Sequence, residues 1–256
     1  MATLSACLIC RDEAANLPAW LKAVAPVADE VVALDSGSAD DSVAILKAAG
    51  ALVTFRAWSG YADQRNHCAD LATGDWILFL DADERPDETL RQALAALKSG
   101  PEPRERAFEL AYKIFFFGRH LRHGGFFGER HLRLYRRGAA RWDRREVHER
   151  LAAEGPVGLL PGFVEHHSYA TVGQYLARMD RYSAEAAWQM HAAGKTATGL
   201  AAWSHAAWAF VNRYGLRLGF LDGFEGYLAA RLEALYTLTK YARLRELARG
   251  VKDGPA

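Results

Sequence analysis

Short apolar runs alternate with segments of helical periodicity through the first hundred residues. The apolar runs, which predict strands, are Leu4–Cys10, Glu30–Leu34, Ala51–Phe55 and Trp76–Leu80. The segments with helical spacing, which predict helices between these strands, are Ala14–Val24, Asp40–Ala49 and Asp63–Ala72. Strands joined by helices in this way predict a parallel sheet that is covered on both faces.

The pattern changes after Glu102-Pro103. The next apolar runs, which also predict strands, are Ala107–Phe117, His131–Tyr135 and Val157–Val164. From Val172 onward the apolar positions recur at steps of three or four, which predicts helices; the clearest stripe is Leu221, Phe224, Leu228, Leu232, Leu235 and Leu238. We therefore predict an α/β fold with a mostly parallel, Rossmann-like sheet over residues 1–170, followed by a helical region over residues 171–256.

Three polar clusters follow the predicted parallel strands, and in such sheets ligands bind at the carboxyl ends of strands. The clusters are Arg11-Asp12-Glu13, Asp35-Ser36-Gly37-Ser38 and Asp81-Ala82-Asp83-Glu84. Two aspartates spaced i, i+2 can present carboxylates to one Mg²⁺ or Mn²⁺ ion and leave positions for diphosphate oxygens. An Asp-x-Asp in a surface turn is the structural alternative. The strand end favours a metal site at Asp81 and Asp83.

Composition limits the classes of function. The 256 residues carry a net charge of only +1, which gives no electrostatic case for nucleic acid. Three cysteines provide no disulfide framework and indicate a reducing compartment, and Cys7 and Cys10 are expected in the core. No signal peptide is recognisable, and the uncharged run from Thr196 to Asn212 is too short and too polar to span a bilayer. We expect a cytoplasmic protein.

One segment is rich in arginine. Between Arg119 and Arg150 there are ten arginines against four acidic residues. Guanidinium groups pair with phosphate oxygens, so this segment could hold a phosphorylated ligand. A solvated face is the alternative, and the charge pattern does not decide between the two.

Four motifs in the first hundred residues resemble those of family 2 inverting glycosyltransferases. They are Cys10–Leu17, similar to N-E-x-x-x-L; Asp35–Asp40, similar to D-S-G-S-x-D; Gln64-Arg65-Asn66; and Leu80–Glu84. The resemblance implies a GT-A fold and a nucleotide-diphosphate sugar donor. Asp12 departs from the pattern, because many relatives carry Asn at this position.

The second half of the chain resembles one branch of that family, the bacterial lipopolysaccharide-core glucosyltransferases. The resemblance lies in Gly118–Gly125, His131–Gly138, Val147-His148-Glu149, His166-His167-Ser168-Tyr169 and Arg181-Tyr182-Ser183. It implies UDP-glucose as the expected donor, with UDP-galactose or another hexose donor as the alternative. The implied acceptor is a lipopolysaccharide core or a related glycolipid or oligosaccharide.

Site roles follow from the resemblance residue by residue. The donor-binding residues it implies are Arg11, Glu13, Asp35, Arg65, Asn66 and Asp81. Among them Asp35 resembles the carboxylate that accepts a hydrogen bond from the nucleobase, with a turn or cap role as the alternative. For Arg65 and Asn66 the alternative is a solvated helix face. Asp83 is expected to bind the metal directly, with His166 as its companion and His167 as the rival histidine.

Inversion needs a base that removes the proton of the acceptor hydroxyl, and a carboxylate near the donor suits this role. We expect Glu149 to be that base, with Asp143 and Glu129 as alternatives. A salt bridge with Arg144 or Arg145 is the structural interpretation of Glu149. Arg119, Arg122 and Arg133 are the candidate acceptor-binding residues.

The predicted C-terminal helices combine aromatic and basic residues, as helices on an anionic membrane surface do. Peripheral contact with the inner membrane and packing against the catalytic domain are both compatible with this pattern.

Two other functions are alternatives to a glycosyltransferase. A nucleotidyltransferase would place a Gly-rich loop after the first strand, and Cys10–Leu17 contains no glycine. A non-catalytic module that binds nucleotide-sugar or lipopolysaccharide is the other.

Overall fold

The computed structural model of the chain describes residues 1–143, 150–169 and 171–250. Its strands are β1 (Leu4–Cys10), β2 (Glu30–Asp35), β3 (Leu52–Phe55), β4 (Trp76–Phe79), β5 (Glu84–Pro86), β6 (Ala107–Phe116), β7 (Arg119–His120), β8 (Phe127–Arg136), β9 (Ala140–Trp142), β10 (Leu151–Ala153) and β11 (Val157–Tyr169). Its α-helices are α1 (Leu17–Val24), α2 (Ser42–Ala48), α3 (Tyr61–Leu71), α4 (Glu88–Ser99), α5 (Val172–Ala192), α6 (Gly199–Phe210) and α7 (Gly223–Ala248).

The first four strands form a parallel sheet in the order β3-β2-β1-β4. In the register of this sheet Cys10 lies opposite Asp35, and Cys7 lies opposite Phe79. Parallel pairing places the carboxyl ends of these strands at one edge of the sheet. The predicted convergence of the polar clusters at this edge is therefore built into the strand order.

Beyond β4 the sheet continues through β8, β6, β11 and β5, and β8 and β5 pair antiparallel with their neighbours β4 and β11. The result is a mostly parallel mixed sheet with helices on both sides, which confirms the predicted α/β fold class. Two strands are longer than predicted. β8 covers Phe127–Arg136, and β11 runs to Tyr169, so His166 and His167 lie within a strand instead of after one.

The core beside the parallel strands contains the residues that the sequence predicted to be apolar and buried. Val32, Leu34, Ile77 and Phe79 belong to one buried cluster with Tyr135. The three cysteines of the chain are free and buried, as predicted for Cys7 and Cys10. Complete burial of β4 fixes the position at which the acidic turn after it emerges.

The chain divides into two compact units. Unit 1 comprises residues 1–112 and 129–166, and unit 2 comprises residues 113–128 and 167–256. Unit 2 therefore includes the loop around β7 together with the C-terminal helices. In unit 2, α6 is followed by a π-helical turn (Val211–Leu216) and a 3₁₀ turn (Gly219–Asp222). Among the described residues, no helix is both long and apolar enough to cross a bilayer.

Candidate active site

The acidic turn follows β4 at the edge where the parallel strands end. The main-chain N–H of Glu84 donates to the carbonyl of Asp81 over 2.9 Å, which closes the turn. In return, Oε2 of Glu84 accepts a hydrogen bond of 3.0 Å from the main-chain N–H of Asp81. The turn is thus held by its own residues at the end of a buried strand, as the sequence predicted.

Asp81 lies between two arginines. Nη2 of Arg65 donates to both of its carboxylate oxygens, at 3.0 and 3.2 Å, and Nη2 of Arg133 lies 3.5 Å from Oδ2. Burial acts to raise the pKa of the Asp81 carboxyl, but the charges of Arg65 and Arg133 outweigh burial and lower the pKa to about 2. Asp81 is therefore an ionised acceptor of fixed orientation at neutral pH.

Aromatic rings surround the Arg65 guanidinium. Its carbon lies 4.6 Å from the ring centroid of Trp142, 5.5 Å from that of Tyr61 and 5.9 Å from that of Phe79. Such contacts favour a cation over the ring face. Arg65 therefore brings a held positive charge to the site, and it orients Asp81.

Arg133, a candidate acceptor-binding residue, is engaged in a buried network. Its side chain is only 11% exposed and contacts Glu84, which is 3% exposed, at 3.4 Å. Its Nε also donates to the Tyr112 hydroxyl over 3.0 Å. Burial raises the pKa of the Glu84 carboxyl, and the Arg133 charge offsets only part of this rise. These contacts give Arg133 a role in holding the acidic turn.

Asp83 lies beside His166, with 3.3 Å between Oδ2 and Nε2. The strand register places His166 opposite Glu84 across the antiparallel pair β11 and β5. Burial acts to lower the pKa of His166, but its hydrogen bond with Asp83 and the neighbouring carboxylates outweigh burial and raise the pKa.

His167, the rival histidine, is the next residue on β11, and successive residues of a strand point to opposite faces. Its ring stacks on Phe115, with 4.6 Å between the centroids and 18° between the planes. His166 is thus the histidine that the structure places beside Asp83.

Asp83 and His166 offer one carboxylate and one imidazole to a metal ion. Among the described residues, no group of three or more His, Cys, Asp and Glu side chains forms a site that could hold a metal ion. Mg²⁺ and Mn²⁺ commonly take few protein ligands and complete their coordination with substrate phosphates and water. The pair therefore fits an ion that a diphosphate would help to hold.

The loops after β1 and β2 are tied together. Oδ1 of Asp12 accepts from the main-chain N–H of Ala39 over 2.7 Å, and the N–H of Asp12 donates to Oγ of Ser38 over 2.9 Å. Asp12 has a φ of 57°, a left-handed conformation that Asn and Asp adopt more readily than most residues. Aspartate therefore suits the conformation of this loop as asparagine would.

Asp35 is buried at the end of β2, and its carboxylate organises the loop that follows. It accepts hydrogen bonds from the main-chain N–H groups of Gly37 over 2.9 Å and Ser38 over 3.1 Å. Glu13, in the neighbouring loop, accepts a hydrogen bond of 2.8 Å from the Asn16 side chain. Both acids thus shape the edge where we expect the nucleotide.

Asn66, expected to bind the donor, uses its amide to hold β9. Its Nδ2 donates to the carbonyl of Trp142, and its Oδ1 accepts from the N–H of Trp142, each over 2.9 Å. β9 then pairs with β10 as a hairpin, with Trp142 opposite Leu151. Asn66 therefore positions the hairpin against α3.

Glu149, the expected base, lies outside the described residues, in the segment 144–149 between β9 and β10. Asp143 and Arg150 bracket this segment, because each main-chain N–H donates to an oxygen of the other residue, over 3.0 and 2.9 Å. The Asp143 carboxylate accepts one of these bonds. Glu129, the other alternative base, lies 3.6 Å from His131 on an exposed part of β8.

The two remaining acceptor candidates belong to unit 2, whereas Arg133 belongs to unit 1. Nη1 of Arg119 lies 2.7 Å from a carboxylate oxygen of Glu225. The main-chain N–H of Arg122 donates to the Asp222 carboxylate over 3.0 Å. Their role toward an acceptor stays a prediction.

Sequence reasoning assigned no role to Tyr112 and Trp142, although both support the site. Tyr112 bonds to Arg133 across 21 residues of sequence, and the Trp142 main chain bonds to Asn66 across 76. No local motif marks such contacts. For Tyr112 the sequence does carry a signal, the alternation of apolar residues along Ala107–Phe116. The structure shows the same alternation as burial, with Tyr112 in the interior.

Residues 5–103, which contain the parallel strands and the acidic turn, match the family model described as Glycosyl transferase family 2. The chain carries a family 2 glycosyltransferase domain. The predicted enzyme class and the GT-A class of fold are thereby confirmed.

Curated relatives extend the likeness over most of the chain. An uncharacterized glycosyltransferase of Rickettsia felis is 28% identical, with 96% of this chain and 90% of the relative covered. The lipopolysaccharide core biosynthesis glycosyltransferase LpsC of Rhizobium meliloti is 29% identical, with 94% and 91% covered. A TPR repeat-containing protein of Synechococcus elongatus is 44% identical, but over only 39% of this chain.

Solved structures resemble a smaller part of the chain. Glucosyl-3-phosphoglycerate synthase from Mycobacterium tuberculosis, in complex with Mn²⁺, UDP and glucosyl-3-phosphoglycerate, has a TM-score of 0.36 and 23% identity. Mannosyl-3-phosphoglycerate synthase from Rubrobacter xylanophilus has a TM-score of 0.37 and 22% identity. Each alignment covers 44% of this chain. It covers 44% of the glucosyl-3-phosphoglycerate synthase chain and 40% of the mannosyl-3-phosphoglycerate synthase chain. Such TM-scores carry no weight for donor, metal or acceptor.

Proposed function

We propose that this glycosyltransferase moves a hexose, with UDP-glucose as the favoured donor, onto a lipopolysaccharide core or related glycolipid acceptor. The observation that carries the proposal is the placement of Asp83 beside His166, next to the ion-paired Asp81, at the end of β4. The motif resemblance and the relative named for lipopolysaccharide core biosynthesis support the choice of acceptor. Both donor and acceptor are to be tested by assay.

Charge placement at the turn suits a nucleoside diphosphate. Asp83 and His166 would hold a divalent cation, which supplies Lewis-acid neutralisation of the charge on the leaving diphosphate. Asp81 is kept ionised and oriented by Arg65, so it can accept a hydrogen bond from the donor ribose. Arg65 adds positive charge close to the same edge, where it favours the anionic donor.

Direct displacement with inversion requires a base on the acceptor side of the anomeric carbon. We assign this role to Glu149, which would take the proton of the acceptor hydroxyl as the oxygen attacks. The bond from the anomeric carbon to the diphosphate oxygen then breaks, and no covalent enzyme intermediate forms. Asn66 holds Trp142, and Asp143 and Arg150 bond to each other, so the described residues on either side of the segment that contains Glu149 are fixed.

The test measures the nucleoside diphosphate released from UDP-glucose, UDP-galactose and other hexose donors, with Mn²⁺, with and without a lipid-linked core oligosaccharide. We expect acceptor-dependent release with UDP-glucose that chelation of the metal abolishes. Asp83→Asn should lower turnover by at least about 100-fold, the rate equivalent of about 3 kcal/mol. Asp180→Asn is the matched control, because Asp180 is an exposed aspartate of unit 2 that pairs with Arg243.

Use of no donor by the wild-type protein would contradict the proposal. Donor binding without turnover would favour the non-catalytic module that binds nucleotide-sugar. Attachment of the nucleotidyl group of the donor to the acceptor, with release of sugar phosphate, would favour a nucleotidyltransferase. Equal turnover by Asp83→Asn and wild type would remove the metal role of Asp83.

A further inference from the structure

The outer face of helix α6 is largely apolar and open to solvent. Its opposite face buries Ala202 and Ala206. The exposed positions include two tryptophans, Trp203 at 66% and Trp208 at 58%, and the aliphatic residues at either end. We call Leu200, Trp203 and Trp208, together with Val211 directly after the helix, the α6 outer face.

The inner face of α6 is already satisfied by α7. His205 stacks on Tyr241, with centroids 4.5 Å apart and rings nearly parallel, and Phe210 meets Tyr227 edge to face. A surface helix that packs by one face normally carries polar and charged residues on the other. Between Thr196 and Asn212, however, the sequence contains no Asp, Glu, Lys or Arg. The α6 outer face therefore lacks the composition of a surface that only meets water.

The segment after α6 continues the exposed apolar surface. Leu218 has a φ of 59°, which is strained for a leucine, and its side chain is exposed. Strain that persists at an exposed apolar residue favours a functional explanation. The other large apolar side chains that are exposed in this segment are Leu216, Phe220, Leu221 and Phe224.

Two exposed arginines adjoin the helix, and a third lies in the segment that follows it. A Cβ at Gly199 would lie 3.1 Å from Nη1 of Arg245, so this guanidinium sits beside the first turn of α6. The Arg231 guanidinium carbon lies 5.1 Å from the ring centroid of Phe210. Arg217 follows the π-helical turn directly. An apolar face bordered by cations complements a surface that is apolar inside and anionic at its boundary.

Unit 2 as a whole carries a net positive charge. It contains 14 Lys and Arg against seven Asp and Glu, a net charge of +7, whereas the complete chain carries only +1. Each basic residue close to an anionic bilayer contributes about a tenfold change in partition at most, and several together are strongly attractive. The charge excess is thus concentrated in the unit that exposes the apolar face.

We propose that the α6 outer face and the loop around Leu218 dock unit 2 on an anionic lipid bilayer, with Trp203 and Trp208 at the depth of the headgroups. Tryptophan is enriched at that depth because its ring is apolar and its N–H is polar. The aliphatic residues enter the acyl boundary, and the arginines pair with lipid phosphates. The role of this docking rests on the proposed function, because a bilayer presents a glycolipid acceptor to the enzyme.

The experiment is sedimentation of the full chain with vesicles of phosphatidylcholine alone or with roughly a quarter phosphatidylglycerol. We expect binding to the anionic vesicles. This binding should weaken as the salt concentration rises from about 0.1 to 1 M, because the Debye length shortens from about 10 to 3 Å. Trp203→Ser/Trp208→Ser should lower partition at least about tenfold. Trp203→Phe/Trp208→Phe should keep most of it, and the control Trp58→Ser, an exposed tryptophan of unit 1, should bind as wild type does.

Several outcomes would overturn the proposal. One is equal sedimentation of the serine double variant and wild type, and another is absence of binding to anionic vesicles by the wild type. A wild-type dimer that forms without lipid and is lost in the serine variant would assign the face to a second copy of the chain. Nucleoside diphosphate release with a soluble acceptor, measured on the same samples, separates failure of docking from failure of the proposed transferase activity.

Discussion

Replacement of Arg133 by Met removes the positive charge beside Asp81 and Glu84 and keeps an unbranched side chain of similar length. Asp81 keeps its ion pair with Arg65 at 3.0 Å, so the electrostatic attraction that is lost is mainly that of Glu84. In the wild type, Oε1 of Glu84 lies 3.4 Å from Nη2 of Arg133. At an effective dielectric constant of about 20, two unit charges at that distance attract by about 5 kcal/mol.

Part of this attraction only offsets the cost of burying the charges, so the measured loss is smaller. Removal of one partner of a buried ion pair destabilises a protein by about 3–5 kcal/mol. We expect the lower end for Arg133→Met, because Glu84 keeps its bond from the Asp81 N–H. A loss of about 3 kcal/mol lowers the melting temperature of a protein of this size by roughly 6–12 °C.

The assay is thermal and denaturant unfolding of Arg133→Met, of Glu84→Gln and of the double variant, followed by circular dichroism. In the double variant, Gln no longer places a charge in the interior, so at least half of the loss should be recovered. Arg136→Met on the same strand is the matched control. Its partner Glu102 is exposed, and such a pair contributes about 0–1 kcal/mol.

Two results would refute this reasoning. Arg133→Met could unfold at the temperature of Arg136→Met, which would mean that Glu84 does not depend on the arginine. Alternatively, Glu84→Gln could add to the loss of Arg133→Met instead of offsetting it, which would mean that the two groups are not coupled.

Three further predictions address the metal pair, the hairpin and a close backbone contact. His166→Ala should lower Mn²⁺-dependent nucleotide release at least about tenfold, whereas His167→Ala should depend on Mn²⁺ as the wild type does. Equal effects of the two substitutions in a Mn²⁺ titration would contradict the assignment of His166 as the metal ligand. Asn66→Ala should cost about 1–3 kcal/mol and speed amide hydrogen exchange at Trp142, because the main chain of β9 loses two bonds; unchanged exchange would count against this role. Gly162→Ala should lower the melting temperature by several degrees, since a Cβ there would overlap the main chain of α4 and φ is +96°; an unchanged melting curve would refute the close packing.

The parallel half of the fold was predictable because its central strands, β1 and β4, are buried along almost all of their length. A run such as Trp76–Phe79 has a continuous apolar pattern, and the polar turn after it ends the strand unambiguously. The position of Asp81 and Asp83 at the sheet edge followed from that pattern alone.

The choice between His166 and His167 could not be made from sequence, because the apolar run ends at Val164 and β11 does not. The strand continues to Tyr169 through pairing that is not encoded by local hydrophobicity, and its alternation separates the two histidines. For the same reason, sequence could place Arg133 only in a basic segment. The burial of Arg133 against Glu84 and Tyr112 depends on strands that meet across 21 to 49 residues of chain.

The most direct test of the central claim is a crystal structure with Mn²⁺ and UDP, with data collected where manganese scatters anomalously. The account predicts one strong anomalous peak bonded to Asp83, to Nε2 of His166 and to diphosphate oxygens, with the ribose beside Asp81. A peak that contacts neither residue while UDP is bound, or UDP bound away from the end of β4, would contradict it.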